Sequence, residues 1–351
     1  AQTLRDPFDD GLIAETGPAR IPPSHDLTLG YIDHFGIETS LFYTQEGLYT
    51  WVTRQGDLER GPPSWYFTGN RAEWLKIPAG TDALPKAFAV ALRDRVRTDS
   101  PVTRVVRDET GVVATYGASG IGKELRGSHL ICTVPLPVID KIEFEPVLSI
   151  AKRGAFASVN YADVTRVYIQ YAQRIWEEDG FNGWATSELD GYQEIWHPTW
   201  NQEGPRGILM SYMFGDMARE VAAMGSSTIV RSFIGRFNRM FPGTHEVAEH
   251  GTHFAWEHQP WIGAAFAYYD PPFSDYPELA SPEGPIHFAG EHASGHRGWM
   301  QGAFESGLRA ASEIDATVTG ERRARTTVAF SRRQMMRRLA GTPGVPGWLV
   351  P

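Results

Sequence analysis

The stretch from Gly284 to Ile314, GPIHFAGEHASGHRGWMQGAFESGLRAASEI, leaves a chain few ways to fold. Ile286 to Ala289 is a short apolar run stopped by Gly290, and from Trp299 onward Gly302, Ala303, Gly307, Ala310 and Ala311 recur at helical spacing. The pattern predicts strand, turn and helix. Glycine inside a helix costs about 1 kcal/mol relative to alanine, so Gly302 and Gly307 predict that something approaches this helix closely. The first N–H groups of a helix have no partner within it, which makes its start a natural seat for an electron-rich group. A well-packed strand-helix unit with no ligand is the alternative these residues leave open by themselves.

F-A-G-E, a short polar loop and G-W-M-Q-G-A-x-E-S-G-x-R-A-A closely resemble the C-terminal flavin motif of the flavin amine oxidases, the family of monoamine and L-amino-acid oxidases. The similarity runs, with gaps, from Thr3 to about Ile314. It implies that Glu291 sits by the ribityl chain of FAD and that the backbone around Gly290, Gly298, Trp299 and Met300 meets the flavin. It also implies an α/β (α+β) fold in which an FAD-binding-type domain (1–30, 86–140 and 280–318) is interleaved with a mixed-sheet substrate domain (31–85 and 141–279). A basic tail, 319–351, follows.

The family opens with a G-x-G-x-x-G turn that holds the ADP part of FAD, because glycines let the backbone reach the pyrophosphate. Residue 1 here already corresponds to a point just after that unit, so the FAD-binding domain is expected to be incomplete, with a partner chain in a hetero-oligomer supplying the missing part. The segment TLRDPFDDGLIAETGPARIPPSH resembles the next piece of the family, and by that match Arg20 holds a substrate carboxylate, a task suited to a planar, permanently charged fork. A surface arginine in a proline-rich loop is the plainer reading.

Between His25 and Pro85 most of the helical insertion of L-amino-acid oxidases is lacking; an aromatic-rich connection of strands and turns is expected instead. Its Trp51, Trp65, Tyr66 and Trp74 suit core packing or a site wall. Residues 86–97 read as an amphipathic helix, and 100–137 as a strand meander in which the resemblance makes Val102 a backbone contact of the adenine region. Gly117 to Glu124, GASGIGKE, imitates a phosphate loop, but Glu124 cannot replace the magnesium-binding hydroxyl and the loop joins two strands, so it reads as a hairpin.

Residues 146–159 read as a helix leading to a strand on which Val167, Ile169 and Tyr171 share one buried face. The resemblance aligns this strand with one carrying a lysine that holds a water near the flavin; here the position is Arg166, which keeps the charge but does not readily shed a proton. By the same resemblance Tyr212 is the mate of Arg20 on the carboxylate, while Ala265, Phe266 and Trp299 frame the side chain and suit a bulky or aromatic substrate. His245, His250, His253 and His258 lack the spacing of a zinc site, so no metal is expected.

A net charge of −9 and a pI near 5.7 argue against nucleic-acid binding, which needs a basic face. No run of 18 apolar residues occurs, and one cysteine, Cys132, in the apolar run HLICTVP, fits a buried position in a reducing, cytoplasmic setting. Seven arginines fall within 322–338, where SRRQMMRRLAG mimics an export signal in the wrong place; a solvated basic helix is expected there. The sequence thus predicts FAD-dependent, non-covalent oxidation of an L-amino acid to 2-oxo acid, ammonia and hydrogen peroxide, with Arg166 and Trp299 nearest the chemistry. The alternative is a flavin-free descendant that binds or acts non-oxidatively on an amino-acid-like ligand.

Overall fold

The computed structural model describes residues 2–117, 122–178, 180–189, 193–268 and 276–319. The basic tail and the centre of the GASGIGKE loop lie outside the described residues.

A seven-stranded mixed sheet is the largest element. Its strands run in the order Ala248–Ala255, Val164–Tyr171, Gly207–Phe214, Gln193–Trp196, Phe181–Ser187, Leu48–Val52, Leu58–Gly61, antiparallel except where Phe181–Ser187 lies parallel to Leu48–Val52. On one face, Val167, Ile169, Leu209 and Met213 pack against Ala218, Ile229, Phe233 and Phe237 of the helices Gly215–Ala222 and Ser226–Met240. The period-2 pattern of Val167, Ile169 and Tyr171 is the origin of that contact.

The opposite face of Val164–Tyr171 is buried as well, contrary to the one-sided burial its alternation suggests. Polar side chains there are covered because each has a partner: Tyr168 Oη donates to Glu15 O (2.7 Å), Gln170 Nε2 to Asp9 Oδ2 (2.8 Å) and Arg166 Nη1 to Glu15 O (2.6 Å). The N-terminal segment is thereby laid across the sheet, and aromatic rings, among them Tyr43, Tyr49, Trp184 and Trp196, fill the rest of that face.

Three further pieces surround this sheet. Three strands of the meander, Val102–Asp108, Gly111–Tyr116 and Lys123–Gly127, pair antiparallel in a four-stranded sheet completed by Glu143–Glu145, so the GASGIGKE loop does join two strands. Leu130–Cys132 pairs parallel with Ile286–Phe288, and the helix Met300–Val318 packs on the pair. There Arg309 Nη2 donates to Phe288 O (2.5 Å) and His287 Nδ1 lies 2.9 Å from Glu313 Oε2. Cys132 is buried. Strand, turn and helix therefore follow one another as the sequence pattern requires.

Helix limits differ from the pattern for local reasons. The 86–97 helix runs Ala83–Leu92, with Pro85 in its first turn, where a missing N–H costs nothing. The 146–159 helix is Ile150–Ala157, started by Ser149, whose Oγ accepts from Lys152 N (3.0 Å). A helix not expected from the sequence, Asp26–His34, follows Pro22-Pro23-Ser24-His25; its start signals are Asp26 in the first turn and the prolines before it. Among the described residues no helix is long and apolar enough to cross a membrane.

Candidate active site

A cavity of about 600 Å³ opens between the seven-stranded sheet, the Gly17–Arg20 loop, strand Phe266–Tyr268 and the start of Met300–Val318. Arg20, Arg166, Tyr212, Ala265, Phe266, Gly298, Trp299 and Met300 all line it. Eight positions scattered over 280 residues of sequence are thus brought to one cavity.

One row of side chains organises the floor. Arg166, Tyr212 and Glu194 are register partners on three adjacent strands, and alternation puts all three on one face of the sheet. The Arg166 guanidinium stacks 4.4 Å from the Tyr212 ring centroid. Arg20 reaches in from its loop to lie 5.7 Å from the ring centroids of Trp74, Trp196 and Tyr212. Its Nη1 is 3.4 Å from Glu194 Oε2, and Glu194 Oε1 accepts from Tyr66 Oη at 2.7 Å. Burial works against the charge on Arg20, but Glu194 and the two tyrosines outweigh it, so the guanidinium stays charged. Glu194 is legible in the sequence only as one of the alternating residues of Gln193–Trp196; its pairing spans 174 residues and has no local signal.

Arg166 also lines a second, smaller cavity of about 30 Å³, room for a single water, together with Glu15, Lys76 and Gln202. Burial pushes the Glu15 carboxyl up to about 7, against the pull of Thr81 N–H, Thr3 Oγ1 and Arg166. Burial likewise lowers Lys76 to about 7, while Glu15 opposes the fall; its Nζ donates to Pro198 O at 3.1 Å. Neither residue is singled out by sequence reasoning, because each lies in a two-residue strand, Ala14–Glu15 or Leu75–Lys76, too short to show a pattern of burial.

At the opposite wall the helix Met300–Val318 begins with Trp299 as its N-cap and no side-chain cap, so its first N–H groups are open beside the cavity. Gly302 is required there, since a Cβ would collide with His296 O and Ser294 Oγ. Around Gly307, by contrast, nothing lies within 4 Å of where a Cβ would sit, so the close approach expected at both glycines occurs at one. The carboxylate of Glu291 accepts from Ala267 N (2.9 Å) and Gly298 N (2.7 Å) and so ties the two walls together. Burial raises its pKa, and these two N–H groups offset part of the rise. Gly290 takes φ +133°, where an L side chain would strike the ring of His292.

His25, just before the helix Asp26–His34, is buried, lines the cavity, and meets Trp299 edge to face at 4.9 Å between centroids. Trp74 is 6.1 Å from Trp299, whereas Trp65 is 47% exposed and takes no part. Val102 is not brought to the cavity; it lines a separate one of about 370 Å³ with Pro101, Val134, Lys141 and Trp261. Among the described residues no three His, Cys, Asp or Glu side chains converge as metal ligands would.

The family model described as flavin containing amine oxidoreductase matches residues 60–315. YobN of Bacillus subtilis (strain 168), provisionally named an L-amino-acid oxidase, is 24% identical, over 89% of this chain and 86% of its own. The flavin-dependent L-tryptophan oxidase RebO of Lentzea aerocolonigenes is 29% identical over 69% of this chain, which spans only 53% of that relative. A triple mutant of putrescine oxidase, redesigned in its cofactor binding, shares the fold with a TM-score of 0.78 at 18% identity, over 90% of both chains.

Proposed function

The chain belongs to the flavin containing amine oxidoreductases, whose cofactor is FAD, and we propose that it oxidises an L-amino acid with a bulky or aromatic side chain. The observation that carries this reading is the meeting of Arg20, Tyr212, Trp299 and Phe266 in one cavity beside an open helix start. That wall fits the ring half of the cofactor. The uncapped N–H groups at Trp299–Met300 suit an electron-rich ring edge, and Gly298 lets the backbone come close. Glu291 secures Gly298 from behind. The pyrophosphate-binding glycine turn is not among these 351 residues, so a segment outside them, on a partner chain in our reading, supplies it. Residues 1–30, 86–140 and 280–318 then form the cofactor side, with Val102 toward the adenine, and 31–85 and 141–279 the substrate side.

In this reading Arg20 holds the substrate carboxylate on the N–H groups that Glu194 does not occupy, and Tyr212 joins it there. Tyr66 and Glu194 keep the guanidinium aimed. Trp299 and Phe266 flank the α-amine and exclude water, and Ala265 leaves room for a large side chain. Arg166, stacked on Tyr212 and anchored to Glu15 O, fixes the floor and supplies positive charge, but it does not exchange protons as a lysine would. When bound, FAD supplies a two-electron acceptor for Cα–H and, with O2, the route to hydrogen peroxide. Hydrolysis of the released imino acid gives 2-oxo acid and ammonia. The single buried cysteine fits a cytoplasmic setting.

The visible spectrum of the purified protein tests this. Flavin bands that bleach with an L-amino acid in the absence of oxygen are expected; a colourless protein that binds amino acids would replace the reading by a flavin-free one. One observation favours that second reading, namely that Arg166, which does not readily shed a proton, stands where the resemblance expects a lysine.

A further inference from the structure

Free amino acids carry an ammonium group at neutral pH, yet loss of hydride from Cα needs the lone pair of a neutral amine. Some group must take one proton. Among the described residues, the ionisable ones lining the 600 Å³ cavity are Arg20, His25, Arg166, Tyr212, Arg297 and Tyr268. Guanidinium groups accept no proton, and phenols are far weaker bases than imidazole. Among the described residues the nearby carboxylates are engaged: Glu194 holds Arg20 and Tyr66, Glu291 holds two backbone N–H groups, and Glu15 holds Thr81 N and Thr3 Oγ1.

The His25 ring also meets that of His296, edge to face, at 5.9 Å between centroids. His296 is half exposed, and its Nδ1 lies 2.8 Å from Glu305 Oε1. His25, His296 and Glu305 are therefore successive neighbours, from the cavity lining to a half-exposed side chain.

We propose that His25 is the proton acceptor of the substrate cavity and that His296 and Glu305 carry the proton onward to solvent. The assignment rests on the reading of this cavity as an amino-acid site. In the step, one N–H bond of the α-ammonium breaks and its electron pair stays on the substrate nitrogen; a new N–H bond forms on the His25 ring, and nothing is oxidised or reduced. The groups facing His25 are His296, Glu305 and Asp26, with Arg20 and Arg297 on the same cavity. Burial and His296 lower its pKa, and Glu305 and Asp26 oppose them, which leaves the ring neutral and ready to accept at physiological pH.

The test is calorimetric titration of the flavin-loaded protein with α-methyl-L-phenylalanine, which has the ammonium and carboxylate but no Cα–H to lose. Buffers of different protonation enthalpy then report the protons released on binding. Close to one proton per ligand is expected at neutral pH, where His25 starts neutral and passes the ligand's proton on to solvent, falling toward none at acidic pH, where His25 is already protonated and cannot accept. The deaminated analogue 3-phenylpropionate should release none. His25→Gln should abolish the release for α-methyl-L-phenylalanine and keep the affinity for 3-phenylpropionate. A wild-type protein that binds both ligands with no pH-dependent release overturns the assignment whether or not the variant folds. Unchanged release in a folded His25→Gln protein overturns it too. Failure of wild type to bind either ligand overturns instead the amino-acid reading beneath it. For the onward path, His296→Gln should slow turnover roughly tenfold in dilute buffer, with recovery on adding imidazole; no slowing removes His296 and Glu305 from the route.

Discussion

The two faces of the seven-stranded sheet are built from alternate residues of the same strands, yet they bury opposite chemistry. Toward the helices, Val167, Ile169, Leu209 and Met213 meet phenylalanines and alanines, and burial alone stabilises the contact. Toward the cavity, Arg166, Tyr212 and Glu194 are buried too, at 4–7% exposure against none for the apolar face, and the two charged ones need named partners to be there. A face of the first kind tolerates changes that conserve volume. A face of the second kind fails one hydrogen bond at a time, and it is the one that carries the site.

The comparison breaks most sharply at its centre. Phe233→Ala, on the helix side, should destabilise the protein by about 3–5 kcal/mol in denaturant unfolding while leaving substrate affinity in the folded fraction unchanged. Across the sheet, Arg20→Met should cost about 2–3 kcal/mol in kcat/KM for L-amino acids, roughly 100-fold, and much less for an amine without a carboxylate. Equal losses for both substrates would deny Arg20 its carboxylate.

The buried charges behind the floor give a pH signature of on the order of 2 kcal/mol. The folded Glu15 carboxyl, near 7, lies above its unfolded value, so the stability it favours is full below about 4.5 and is lost as pH rises through 7. Folded Lys76, near 7, lies below its unfolded value, so stability lost below 7 returns as pH climbs toward 10.5. Together they predict a dip in stability near neutrality. Thermal unfolding across pH should show it in the wild type, and Glu15→Gln should remove its acidic side; a flat wild-type profile would show that water reaches both groups. The smallest effect is expected away from both faces: Ile150→Ser, at an 82% exposed helix start, should shift stability by less than about 0.5 kcal/mol.

The same contrast explains what could be read from the sequence. Strand Ile286–Phe288, its turn and its helix were legible because their signals are local: an apolar run, a glycine, then small residues at helical spacing. Arg166, Tyr212 and Phe266 were reachable through the resemblance, since each sits in a recognisable strand. Glu194, Glu15, Lys76 and His25 were not. Their environments are made by contacts between distant segments, such as the 174 residues separating Arg20 from Glu194, and no periodicity encodes those. Arg166 was legible as a residue but not as a partition between two cavities, because which side its guanidinium faces depends on Glu15 O, 151 residues away.

Glu291 has a mechanical meaning beyond its charge. Its two oxygens act as a rivet through Ala267 and Gly298, which come from different pieces of chain that both line the cavity. Such a rivet fixes the spacing of two backbone segments without using a side chain of either.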